Sequence, residues 1–153
     1  MMKSFILNES GFTLIETLIS LVITSVLTLT TVPTILRLYD YHNLNQAATV
    51  LQSDLHFIRD FNMGPLKGNT MLSIRIFTLR DQYLIDISPR GGPYKERYLP
   101  KNVTIPHGNQ VIDIIFNTQG NITQGGKTLM IRSKYYSRYL VFSIGTGGFD
   151  VRD

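Results

Sequence analysis

The sequence predicts an α+β chain: a long N-terminal α-helix, apolar and then amphipathic, packed on a small antiparallel β-sheet head. Three observations lead there. Phe12 to Leu36 is a run of 25 residues with one charge, Glu16, and one proline, Pro33. Leu44, Ala48, Leu51, Leu55 and Ile58 then recur at i, i+4, i+7, i+11 and i+14, the spacing of one helix face. After Met63-Gly64-Pro65 the chain breaks into short runs of alternating β-branched and aromatic residues separated by glycine and proline.

The apolar run is long enough to cross a membrane. As a helix, 25 residues rise about 37 Å against a hydrocarbon core of roughly 30 Å. A secretory signal peptide has a shorter apolar stretch, of about 7–15 residues, and a small-residue cleavage site behind it. Lys3 precedes the run and Arg37 follows it, so charge favours a short cytoplasmic N-terminus and a long external C-terminal part.

The amphipathic part continues from 37 to 63. Asn45, Gln46, Gln52, Asp54 and Arg59 are expected on faces away from the apolar stripe. Glycine and proline at 64 and 65 end the helix. In the head, 64–153, strands are expected over Met71–Leu79 and Tyr83–Ile87, turning at Arg80-Asp81-Gln82. Ser88 to Gly108 carries Pro89, Pro93, Pro100 and Pro106 and reads as a long loop with at most short edge strands. Val111–Phe116, Thr128–Arg132, Arg138–Ile144 and Phe149–Arg152 complete the strands, with a turn at Thr118–Asn121.

Composition narrows the chemistry. The 153 residues include no cysteine, which excludes disulfides, thiolate metal sites and thiol catalysis. A net charge of +4 is compatible with an acidic partner without requiring one. His42, His56 and His107 form no ligand pair, and no hydrolase elbow, P-loop or zinc-protease motif is present. Gly145-Thr-Gly-Gly148 precedes a strand-like segment, so it reads as a turn and not as a phosphate cradle. Asp150 and Asp153 read as solvated carboxylates in preference to calcium ligands. No catalytic residue, cofactor or metal is expected.

A carboxylate within a membrane segment costs a few kcal/mol, about 2.5–3.5 on insertion scales, and calls for a partner. Glu16 follows Gly11-Phe12-Thr13-Leu14-Ile15 directly. This stretch resembles the processing and methylation motif of type IV pilins and of the pseudopilins of related secretion and DNA-uptake machines. The resemblance covers Gly11 to Leu36. It implies a leader peptide over 1–11, cleavage by a prepilin peptidase between Gly11 and Phe12, and N-methylation of Phe12. Glu16 then acts in assembly, and Pro33 falls where the family helix is commonly kinked. Partners implied are the peptidase, other major and minor pseudopilins, indirectly an assembly ATPase and membrane platform, and membrane lipid before assembly. The resemblance extends, more softly, to the minor pseudopilins of Gram-positive competence systems, and alternatively to those of type II secretion systems or type IV pili. A signal-anchored external binding domain remains the reading from another class.

Physically, glycine leaves the scissile bond unobstructed, and cleavage creates an amine at Phe12, four residues from Glu16 on one helix face. The carboxylate of one chain can then neutralise a neighbour's amine in lipid. Thr13, Thr17, Ser20, Thr24, Thr28 and Thr31 form a hydroxyl stripe. It reads equally as a packing face and as hydroxyls bonded back to their own helix. In the head, Lys127, Arg132, Lys134 and Arg138 interleave with Tyr135, Tyr136 and Tyr139. Such a pattern can hold DNA weakly and salt-sensitively, or can be a solvated hairpin whose tyrosines cover the sheet.

Overall fold

In the computed structural model, the described residues are 12–65, 70–78, 80–88, 92–106, 108, 110–123, 128–143 and 147–152. One α-helix, α1 (Leu14–Met63), is followed by seven strands: β1 (Met71–Phe77), β2 (Gln82–Ser88), β3 (Pro93–Tyr98), β4 (Val111–Ile115), β5 (Thr128–Arg132), β6 (Ser137–Phe142) and β7 (Phe149–Arg152). Contacts divide the chain into two units, Met1–Leu36 and Arg37–Asp153.

In the first unit, every described residue of α1 is exposed in the isolated chain. Its 18-residue apolar window has a mean hydropathy of 1.9. By length and composition α1 is long and apolar enough to cross a membrane.

In the second unit, the expected stripe is the buried face. Leu44, Leu51, Leu55 and Ile58 are inaccessible and Ala48 nearly so. They share one core with Ile74, Ile76, Tyr83, Ile85, Ile114, Phe116, Leu129, Ile131 and Leu140. The helix ends as expected: the Gly64 amide donates to the Asp60 carbonyl at 3.1 Å, and Pro65 bars a further turn.

The head contains two antiparallel sheets. The first has the order β3-β2-β1-β4 and the second β5-β6-β7. In the first, β1 is central, and its alternation puts Leu72, Ile74 and Ile76 inward and Arg75 outward. Register sets Arg75 opposite Asp113, and its guanidinium reaches Asp113 at 3.0 Å and Asp86 at 3.3 Å. Two isolated bridges, Thr104–Arg132 and Phe116–Ile122, add pairing outside the strands.

The differences from expectation lie at edges. β1 stops at Phe77, and the hairpin turns through Asp81 at φ 48°, a left-handed conformation that aspartate tolerates better than most side chains. Leu79 and Ile144, expected at strand ends, lie outside the described residues. The proline-rich stretch contains a six-residue strand, β3, on the edge of its sheet. Pro93 is its first residue, where a missing N–H costs no ladder bond.

Asp54 corrects the helical reading. It is not on the outer face but buried at 5% exposure. Asp40, Asn43 and Asn62 share that buried face.

Candidate processing and assembly segment

Thr13 is the N-cap of α1. Its backbone N–H and its hydroxyl both donate to Glu16 Oε2, each at 2.9 Å. The Glu16 amide returns a bond to Thr13 Oγ1 at 3.3 Å. Thr13-Leu-Ile-Glu16 is therefore a capping box, which satisfies donors that every helix start leaves open. The Thr-x-x-Glu spacing was visible in the sequence beside the Gly-Phe pair. Phe12 is exposed at 79%, just outside the first turn. Gly11 lies outside the described residues.

This geometry bears on what cleavage does. While Phe12 is joined to Gly11 its nitrogen is a neutral amide, and the only donors to Glu16 among the described residues come from Thr13. Cutting that bond would place a cation within four residues of a carboxylate already held at the helix start.

Further along, hydroxyl after hydroxyl is bonded back to its own helix. Thr17, Ser20, Thr24, Thr28 and Thr31 donate to the carbonyls four residues earlier, at 2.7–3.1 Å. Ser25 and Thr34 do the same. In the single chain the second reading of the stripe is the one observed. Pro33 lies inside α1 and, having no N–H, takes the helical donor away from the Leu29 carbonyl.

The basic and aromatic residues converge on the turn between β5 and β6. The Ser133 amide donates to the Tyr136 carbonyl at 2.8 Å, closing the turn. Lys134 Nζ lies 5.0 Å from the Tyr135 ring centroid, and the Arg37 guanidinium lies 5.7 Å from it. Tyr136 meets Tyr41 edge-on at 5.4 Å. Arg138 donates to Asn45 Oδ1 at 3.1 and 3.0 Å and stands over the Tyr41 ring. The Asn45 hydrogen bond, and then the Arg138 charge, hold the Tyr41 phenol below its usual range. Lys134, Tyr135, Tyr136 and Arg138 are thus gathered with Arg37, Tyr41 and Asn45. Arg132 is exposed at the end of β5, where its backbone pairs with Thr104. Lys127 lies outside the described residues.

Sequence reasoning missed the buried polar contacts that seat the helix on the strands. Asp54 accepts from the Tyr83 hydroxyl at 2.8 Å, Lys95 at 3.1 Å and Arg97 at 3.2 Å. Burial, then the Asp54 hydrogen bond and charge, raise the Tyr83 phenol far above its usual range. Asn62 donates to the Leu72 and Phe116 carbonyls and accepts from the Leu72 amide. Asn102 links Asp40 and Asn43 at 2.6 and 2.9 Å. These contacts tie α1 to the strands and loops of the head, and the second carboxylate oxygen of Asp40 is buried without a hydrogen-bond partner among the described residues. Among the described residues no cluster of three or more histidine, aspartate or glutamate side chains gathers as metal ligands.

Residues 6–32 match the family model described as the prokaryotic N-terminal methylation motif. No curated protein and no solved structure matches the chain. The motif supports a type IV pilin-like protein, anchored in a membrane, processed by a prepilin peptidase and assembled with other pilins.

Proposed function

We propose that the chain is a minor pseudopilin of a competence pseudopilus, a short filament that serves DNA uptake during transformation. The precursor is stored in the membrane through Phe12 to Leu36, with the leader, 1–11, cytoplasmic and the head outside. Prepilin peptidase cuts between Gly11 and Phe12, and Phe12 is N-methylated. The Glu16 carboxylate then pairs with the amine of a neighbouring subunit, and Pro33 loosens the helix for packing. The role is structural and not enzymatic. The peptidase, other pseudopilins, an assembly ATPase and a membrane platform are its partners.

The observation that carries this reading is the methylation-motif match over residues 6–32, with Glu16 at the start of a helix whose N-terminal apolar window is wholly exposed. The competence branch is supported by the size of the chain, its lack of cysteine and the strand pair β5–β6.

The deciding experiment is mass spectrometry of the mature N-terminus, with and without prepilin peptidase. A chain beginning at methylated Phe12 only when the enzyme is present is the expected result. An uncut chain in both samples leaves a signal-anchored binding domain. Deletion then separates the machines: lost transformation with intact protein secretion is expected, and the reverse pattern assigns the chain to a secretion system.

A further inference from the structure

We propose that the Ser133–Tyr136 turn, together with Arg37, is an interfacial anchor that holds anionic phospholipid headgroups. Depth follows from covalent connection. From Leu14 a helix needs about 20 residues, rising 1.5 Å each, to cross the hydrocarbon, so Arg37 emerges at headgroup level. Arg37 carries the turn with it, because its guanidinium lies 5.7 Å from the Tyr135 ring centroid. Lys134 adds a second cation to the same ring at 5.0 Å.

The chemistry at this level suits a headgroup layer. Tyr135 and Tyr136 remain 45% and 37% exposed although each has a ring or cation partner. Tyrosines of this kind place an apolar body and a wet hydroxyl across the membrane–water boundary. Among the described residues Arg37 and Lys134 form no ion pair, and Asp54, Asp86, Asp113 and Asp150 are joined to other cations. Asp40, three residues after Arg37 on the helix, is buried and accepts from Asn102. Arg138, one step further from the span, is held by Asn45 and Tyr41 and braces the turn against α1. DNA offers the same phosphate chemistry, but only a lipid surface is fixed at this depth by the chain itself.

The inference rests on the membrane-crossing part of the reading above and not on filament assembly. The chain has no tryptophan, so a single introduced one is an unambiguous reporter. The full chain, uncleaved, is placed in bilayers of phosphatidylcholine with and without phosphatidylglycerol, and depth is read with brominated lipids. Tyr135→Trp is expected to be quenched by bromines near the headgroup, with blue-shifted emission, and more so with phosphatidylglycerol. Tyr98→Trp, on the exposed edge strand β3, is expected to report bulk water. Arg37→Gln with Lys134→Gln should lower the ratio of docked to undocked turn roughly 30-fold, the factor implied by two cations at about 1 kcal/mol each. Leu27→Trp tests the span itself. Deep quenching there, with Tyr135→Trp indistinguishable from Tyr98→Trp, overturns the anchor and leaves the span standing. A Tyr135→Trp signal that answers to added DNA and ignores phosphatidylglycerol assigns the turn to nucleic acid and likewise overturns the proposal.

Discussion

Replacing Asn62 with alanine should destabilise the head by leaving buried backbone groups without partners. Asn62 is wholly inaccessible. Its amide donates to the Leu72 and Phe116 carbonyls, both at 2.9 Å, and its carbonyl accepts from the Leu72 amide at 2.8 Å. It thereby fastens the last turn of α1 to the start of β1 and to the residue after β4. Removing it orphans three buried backbone groups, and each uncompensated group costs about 1–3 kcal/mol. Even with one of them rescued by water, the expected loss is about 3 kcal/mol. The assay is urea unfolding of the full chain in nanodiscs, together with hydrogen–deuterium exchange of the peptide around β1. Asn62→Ala should lower the midpoint and deprotect the Leu72 amide. Asn62→Asp should be worse, because it turns a donor pair into acceptors facing two carbonyls. If Asn62→Ala costs under about 1 kcal/mol, or Asn62→Asp matches the parent, the helix is not fastened in this way.

Three further outcomes are expected. Gly147 has φ 58°, and an added Cβ would lie 1.6 Å from the Gly120 carbonyl oxygen, whereas at Gly92 nothing lies within 4 Å; Gly147→Ala should therefore lower the melting temperature sharply, Gly120→Ala less, since it meets the flexible end of Met63, and Gly92→Ala hardly at all. The Tyr83 phenol titrates higher in the folded chain than its unfolded value of about 10, so its contribution is complete below that pH and falls above it by about 1.4 kcal/mol per unit; Tyr83→Phe should flatten this alkaline slope in pH-dependent unfolding. Glu16→Ala should leave membrane insertion intact, measured by carbonate extraction, yet abolish recovery of the chain in sheared filaments; recovery equal to the parent would remove Glu16 from assembly.

The helix was legible because its signals are local. The apolar run, the stripe from Leu44 to Ile58 and the Gly64-Pro65 stop each lie within a few residues of the structure they cause. Thr13 and Glu16 are equally local, and their capping box could have been read beside the processing motif. Asp54 could not. A carboxylate on a helix reads as solvated until Tyr83, Lys95 and Arg97 are brought to it from 29 to 43 residues away. Asn62 hides for the same reason. β3 was obscured by the four prolines between Ser88 and Gly108, since proline argues against strands except at the first or edge position that Pro93 occupies. The split into two sheets was illegible as well, because alternation fixes which face is buried and says nothing of which strands pair. In the basic turn, Lys134 and Tyr135 were visible as a pattern, but the engagement of Arg138 by Asn45, 93 residues earlier, was not.

The back-bonded hydroxyls of α1 have a consequence for what a neighbouring helix encounters. Each O–H is spent on a carbonyl of its own chain, so the oxygens face outward as lone pairs alone. Two copies of this segment laid stripe to stripe would first meet as acceptor against acceptor. A helix that brings its own O–H or N–H donors would find the stripe complementary at once. Along this stripe the isolated segment thus offers a neighbour acceptors, and a hydroxyl can donate across only by giving up the bond to its own helix.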